Sequence, residues 1–291
     1  MLRYFLACCG AACLVASTVS NTAQAIDILY YGNSFTNARC CGASRSVPSL
    51  VSDIAVAAGH PAPNYFNAAV DGQSISWHLA NNTAPISSGI GAGEEWEFVV
   101  LQDFSTNPTH IGNLPLHLSS TLAMYQQVAA HSADVTAVMY ETWARGPGHS
   151  FYTGGSPAFP GGPAQMQAEL RDGYLMSTDN IIDNGGAALY APAGDAWENG
   201  GFPLNFYSGD IYHANNRGTL LNALVLYGTI YDDPTTSDID LSGVLGSLGL
   251  SEADGMLLTS IADATMVPEP SSVALVLLSS GAALVWYRRR K

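Results

Sequence analysis

Residues 26–36 read Ile26-Asp27-Ile28-Leu29-Tyr30-Tyr31-Gly32-Asn33-Ser34-Phe35-Thr36. Six mostly apolar residues, interrupted only by Asp27, stop at a glycine and give way to a polar turn. A short apolar run bounded by turn residues predicts a buried strand. Gly32 lets the backbone turn sharply after it, and Ser34 opens the loop and helix that follow. Strand, turn and helix in that order start a βαβ unit, and the rest of the chain repeats the pattern. Further strands are expected at residues 64–70, 97–101, 135–140 and 187–191. Helices are expected at 47–58, 74–80, 114–131, 164–182 and 215–231, the last rich in apolar residues from Leu220 to Leu226. Five short apolar strands separated by helices predict one α/β domain with a mainly parallel sheet, buried on both faces.

The two ends have the composition of processing signals. Arg3, an apolar run over residues 4–15 and Ala23-Gln24-Ala25 supply the basic region, apolar core and small-residue cleavage site of an export signal over 1–25. That run is shorter than the roughly 20 residues a bilayer needs, which argues against a transmembrane helix there. At the other end, Val267-Pro268-Glu269-Pro270 precedes an apolar stretch and then Arg288-Arg289-Arg290-Lys291. The stretch over 271–287 is just long enough to span a membrane with the basic cluster on its cytoplasmic side. This order of motif, apolar helix and basic end resembles the PEP-CTERM sorting signal, here over 267–291. The resemblance implies a transient inner-membrane anchor and a partner protease of the exosortase type, in bacteria that make exopolysaccharide. The mature protein is then expected at the cell surface or outside the cell; a permanent anchor is the alternative.

The chain has 291 residues; apart from the two end segments it holds 5 basic and 23 acidic residues, a net charge of −18 without a single lysine. Such a surface repels nucleic acid and anionic lipid, which removes nucleic acid as a partner class. Outside the export signal the only cysteines are the neighbours Cys40 and Cys41. Export permits a disulfide, but a bond between sequence neighbours is strained, and free thiols are the alternative. No cysteine or histidine spacing matches a metal motif, so no metal and no cofactor are expected. Asp238, Asp240 and Gly243 echo half a calcium loop, but Gly249 stands where its glutamate belongs. Residues 146–163 are rich in Gly and Pro, and a loop of that length reads as a lid, a binding element or a disordered insertion. Residues 234–266 read as a short helical cap followed by a linker, after a principal domain over 26–233.

Ligands of open α/β sheets bind beyond the C-terminal ends of the strands, which is where Ser34 stands. Serine is a poor nucleophile until a base takes its proton, so a histidine must reach it. Capping a helix is the alternative role for such a residue. Gly209-Asp210-Ile211-Tyr212-His213 lies immediately before the last core helix. An Asp and a His three apart can set the carboxylate against the ring and leave the other ring nitrogen free for a serine. Alternatively, Asp210 caps the helix and His213 is an ordinary polar residue. Asp195, after the fifth strand, is a rival acid.

Together these segments resemble the SGNH hydrolase family, with its GDSL-type esterases. Gly32-Asn33-Ser34 matches the first block, in a bacterial branch with Asn where others have Asp, and Asp210 and His213 match the last. The resemblance spans residues 26–231 and implies a three-layer α/β/α sandwich of flavodoxin-like type. It further implies a Ser34–His213–Asp210 triad and an oxyanion hole built from the Ser34 N–H, a second-block glycine N–H and a third-block side chain. Asp71-Gly72-Gln73-Ser74 supplies Gly72 for the second block. The usual Gly-x-Asn-Asp of the third block is missing: the sequence reads Gln102-Asp103-Phe104-Ser105-Thr106-Asn107. Gln102 is the expected donor there, with Asn107 as the alternative. Trp143 and Tyr152 are candidates for lining the substrate site. The expected activity is hydrolysis of small esters or of O-acyl (acetyl) esters of carbohydrate, without cofactor. A non-catalytic exopolysaccharide-matrix or carbohydrate-binding protein on the same scaffold is the alternative.

Overall fold

The computed structural model describes residues 24–266. All but the last two residues of the expected export signal, and the whole expected sorting tail, lie outside the described residues. Among the described residues no helix is long and apolar enough to cross a membrane.

Five strands form, β1 (Asp27–Tyr31), β2 (Asn64–Asn67), β3 (Phe98–Leu101), β4 (Thr136–Tyr140) and β5 (Ala187–Ala191). They pair parallel throughout in the order β2-β1-β3-β4-β5. The intervening helices are α1 (Ser34–Asn37), α2 (Val47–Ala57), α3 (Ile75–Asn81), α4 (Pro85–Ser88), α5 (Leu114–Ala129), α6 (Gly162–Asp183), α7 (Ala193–Asn199) and α8 (Asn216–Tyr231), followed by α9 (Ser242–Leu248) and α10 (Glu252–Met266). Their starts follow from local chemistry: Pro48 sits in the first turn of α2, and Asn113 and Asn215 cap α5 and α8 with their side-chain carbonyls.

Strand alternation divides the interior into two cores. Ile28, Tyr30, Val100, Val138 and Tyr140 face α2, α7, α8 and α10, whereas Leu29, Tyr31, Val99, Leu101 and Met139 face α3, α5 and part of α6. The result is the expected three-layer α/β/α sandwich with a parallel five-stranded sheet. Helix α8 is apolar nearly all round because the sheet, α2 and α10 enclose it. Each of its buried leucines contributes about 1.5–3 kcal/mol of burial energy.

The chain departs from the sequence reading in three places. Burial on both faces holds for β1, β3 and β4, but the edge strand β2 exposes Asn64, Tyr65 and Phe66, and β5 is half-buried. The loop after β4 is packed: Phe159 is fully buried and the Tyr152 hydroxyl is tied to the Arg145 carbonyl. Residues 234–266, read as a cap and linker, instead end in the 15-residue helix α10. Its Leu258 and Ala262 join the core beside α8 and α7, while the Asp263 carboxylate takes the Thr236 N–H and hydroxyl at 2.6 Å each.

Candidate active site

The chain runs from β1 out to β2 at one edge, then returns to β3 on the other side of β1. This reversal opens a crevice beyond the C-terminal ends of β1 and β3. Gly32 lies there, and no other residue fits: a Cβ would overlap the Thr36 hydroxyl and stand 2.7 Å from Gln102 Oε1. Asn33 caps the helical turn α1 by accepting the Phe35 N–H, and Ser34 begins the turn with only 6% exposure.

The loop before α8 brings the expected acid and base to Ser34 across 179 residues of sequence: His213 Nε2 is 3.0 Å from Ser34 Oγ. His213 Nδ1 is 2.6 Å from Asp210 Oδ2. The other Asp210 oxygen accepts the N–H groups of Tyr212 and His213, both at 3.0 Å. Partial burial pushes the Asp210 carboxyl up, but the His213 ring and these N–H groups outweigh it and hold the pKa below the ordinary value. A carboxylate on Nδ1 fixes that proton in place and leaves Nε2 as an acceptor toward the serine.

Tyr212 carries the ring alignment. Its ring lies 4.0 Å from that of His213, and its carbonyl accepts the Trp143 indole N–H at 3.1 Å. Trp143 itself is fully buried, stacked on Phe35 on one side and Trp197 on the other. It therefore does not line the site, as the sequence reading allowed, but supports the segments that carry Ser34 and His213 through Phe35 and Tyr212. Tyr152 is likewise an anchor, its hydroxyl spent on the Arg145 carbonyl, and not a free stacking surface. Asp195 is no rival acid, because Arg171 and the Tyr190 hydroxyl engage its two oxygens.

The second block sits against the nucleophile turn. Asn33 Nδ2 donates to the Gln73 carbonyl at 3.0 Å, and Asn37 Nδ2 to Asp71 Oδ1 at 3.1 Å. Gly72, between them, has φ +75°, a conformation that favours glycine. Among the described residues neither the Ser34 nor the Gly72 N–H has a hydrogen-bond partner, so both are free to receive an oxyanion.

The third block differs from expectation. Gln102 is fully buried, its Oε1 accepts the Asn33 N–H at 2.9 Å and the Thr36 hydroxyl at 3.0 Å, and its Nε2 donates to the Asp103 carbonyl. The two donors fix the carboxamide orientation, so Gln102 braces the turn that carries Ser34 and spends one of its two amide N–H groups on the Asp103 carbonyl. Asn107 directs its Nδ2 to Asp103 Oδ2 at 3.2 Å.

Two features escaped the sequence reading. Asp103 is fully buried and gathers the N–H groups of Ile75 and Phe104, the Asn107 amide and the His117 ring, whose far nitrogen is 2.7 Å from Ser177 Oγ. Burial raises the Asp103 pKa, but His117 and the two backbone donors lower it further and leave it below the ordinary value. The second feature is Arg145, 5% exposed, two residues beyond Trp143. Its guanidinium stacks on the Tyr212 ring at 3.5 Å and donates to Ser105 Oγ at 2.8 Å, while Nη1 has no partner. Burial lowers its pKa to about 10, so it remains a cation at neutral pH. Arg45, Arg171 and Arg217, in contrast, are each paired with carboxylates. Its place at the C-terminal end of β4 was the available signal.

Cys40 and Cys41 are joined in a disulfide beside His213. Together with His213 they are the one group of three metal-ligating side chains brought together among the described residues.

No protein-family model and no curated protein sequence matches the chain. Solved structures do resemble it. A candidate SGNH hydrolase from Slackia heliotrinireducens superposes with a TM-score of 0.54 and 23% identity, over 71% of this chain and 100% of that one. A DUF4886-family protein from Bacteroides uniformis gives 0.65 and 16%, over 84% and 96%. A family 3 carbohydrate esterase from Clostridium thermocellum gives 0.52 and 15%, over 72% and 96%. At these identities the likeness establishes the fold, that of SGNH hydrolases.

Proposed function

We propose that the protein is a serine ester hydrolase of the SGNH type. One observation carries the reading: His213 Nε2 lies 3.0 Å from Ser34 Oγ while Asp210 holds the opposite ring nitrogen. In the first half-reaction Ser34 Oγ attacks the ester carbonyl as His213 Nε2 takes its proton. The imidazolium then returns that proton to the leaving alcohol, giving an acyl-Ser34 and free alcohol. Water, deprotonated by the same nitrogen, attacks the acyl-enzyme, and collapse of the second tetrahedral intermediate restores Ser34 and releases the acid. The Ser34 and Gly72 N–H groups, free of other partners, supply the donors for the developing oxyanion in this reading. No step requires a metal or cofactor.

For the substrate we propose an O-acyl ester of carbohydrate with a short acyl group. The sorting-signal resemblance points to an exopolysaccharide setting, and one structural neighbour is itself a carbohydrate esterase. Export with cleavage of both ends fits the same setting, and a disulfide beside the triad fits an oxidising compartment. The commitment of Gln102 to the nucleophile turn is the observation that favours the second reading, a binding protein on this scaffold.

Hydrolysis of p-nitrophenyl acetate by the purified protein, wild type against Ser34→Ala, separates the two. The esterase reading expects Ser34→Ala to lose at least about 10³-fold in kcat with its circular dichroism unchanged. Equal rates in the two folded proteins would sink it and leave the binding protein.

A further inference from the structure

The disulfide turn is docked on the loop that carries the catalytic base. The Ser208 hydroxyl donates to the Cys41 carbonyl, and the Ser208 N–H donates to the His213 carbonyl at 2.7 Å. As a result, both sulfurs and a ring nitrogen of His213 lie within 4.8 Å of one another. Ester hydrolysis uses neither sulfur.

We infer that Cys40 and Cys41, when reduced, form with His213 a site for a thiophilic divalent cation of the zinc and cadmium class, and that this cation and the disulfide exclude each other. Thiolate and imidazole are the donors such cations select. Metal–sulfur and metal–nitrogen bonds of about 2.3 and 2.0–2.1 Å put tetrahedral ligand atoms roughly 3.5–3.8 Å apart. The three donor atoms lie within 4.8 Å of one another with the sulfur–sulfur bond closed, so opening that bond and a small side-chain adjustment bring them to these spacings. His213 is also prepared as a ligand. Asp210 holds Nδ1 at 2.6 Å, the carboxylate–histidine arrangement that orients metal-binding imidazoles, and this leaves Nε2 for the cation. Cys40 is exposed and Cys41 half-buried, which gives the cation a path in and leaves a fourth position open to water.

The electron count is simple. A dithiol reductant passes two electrons and two protons to the Cys40 and Cys41 sulfurs and closes to its own disulfide. Cation binding then releases the two thiol protons to solvent, while His213 contributes a lone pair. In the reverse direction the two thiolates give two electrons to a disulfide oxidant, which leaves as two thiols after taking up two protons, and the cation departs. Nε2 is also the nitrogen that deprotonates Ser34, so a cation-loaded chain has no base. This functional consequence rests on the esterase reading; the cation site does not.

The test uses the purified protein in its disulfide form, the same protein reduced and freed of reductant under argon, and a reduced Cys40→Ser/Cys41→Ser double variant. Cadmium is titrated into each while the ultraviolet thiolate-to-metal absorption is read, and p-nitrophenyl acetate hydrolysis is followed with zinc and then EDTA. We expect one cadmium per reduced chain, with the absorption missing from the other two forms. One equivalent of zinc should then lower the reduced protein's rate by about 10²-fold or more, with recovery in EDTA. Absence of a stoichiometric absorption in the reduced protein would overturn the site. So would equal inhibition of the disulfide form, or an unchanged cadmium affinity in reduced His213→Ala. The absorption titration decides the cation site even if no form of the protein hydrolyses the ester.

Discussion

Asp210 and Asp103 each hold a histidine whose far nitrogen meets a serine hydroxyl, at 3.0 Å for Ser34 and 2.7 Å for Ser177. What separates the two relays is access: Asp103, His117 and Ser177 are all fully buried beneath α5 and α6, whereas Ser34 and His213 open on the crevice. A buried relay cannot meet substrate, so its work is to hold the second- and third-block loops through Asp103. Ser177→Ala is therefore expected to leave p-nitrophenyl acetate hydrolysis within about twofold while costing about 1–3 kcal/mol for the orphaned imidazole nitrogen. A large loss of kcat in the folded variant would contradict this. The depressed pKa of Asp103 also has a pH signature. Its ionised form contributes stability fully above the unfolded-chain value of about 3.9, and that contribution disappears as pH falls through the lower native value. The gap in melting temperature between wild type and Asp103→Asn should thus be widest near neutrality and shrink below about pH 4. A gap that stays constant down to pH 2 would remove the charged Asp103 from the account.

At the scale of elements, two turns aim the site. Ile211, between Asp210 and His213, has φ +48°, where a β-branched residue is strained. The turn is held there by the Gly146 N–H on the Ile211 carbonyl at 2.8 Å and by Asp210 beneath it. Ile211→Gly should relieve about 1–2 kcal/mol of strain against about 0.5–1 of added chain entropy, leaving stability nearly unchanged. It should also loosen His213, and a several-fold fall in kcat with an unchanged melting temperature is the expected pair of results. Gly72 is the opposite case. An alanine there meets no neighbour, but φ +75° costs it about 1–2 kcal/mol and tilts the N–H that the proposed mechanism uses. Gly72→Ala should lose roughly 10–10² in kcat with little change in KM. A change confined to KM would place Gly72 in ground-state binding instead.

At the scale of the molecule, elements with a strong period were legible and long-range polar partners were not. The apolar runs around Tyr30, Val100 and Val138 and the leucines of α8 read correctly because burial on both sides leaves a continuous apolar signature. The meeting of Ser34, His213 and Asp210 was legible because these residues stand in short segments beside strand and helix ends. The bracing role of Gln102 was not legible because a strand-end amide looks the same in sequence whether it faces the crevice or braces a neighbouring turn. Only the positions of the Asn33 N–H and the Thr36 hydroxyl, 69 and 66 residues away, decide which. Trp143 and Tyr152 were misread as lining residues for the same reason, since an aromatic ring at a strand end serves core and crevice equally well. Helix α10 was missed because its partners on α7 and α8 are distant in sequence. The claim on which the whole account turns is that one serine, Ser34, is activated. Its most direct test is labelling of the native protein with a fluorophosphonate, followed by peptide mass spectrometry on wild type and His213→Ala. A single phosphonylated serine, Ser34, is expected in the wild type and almost none in the variant. An unlabelled protein, or a label on Ser177 or any other serine, would contradict it.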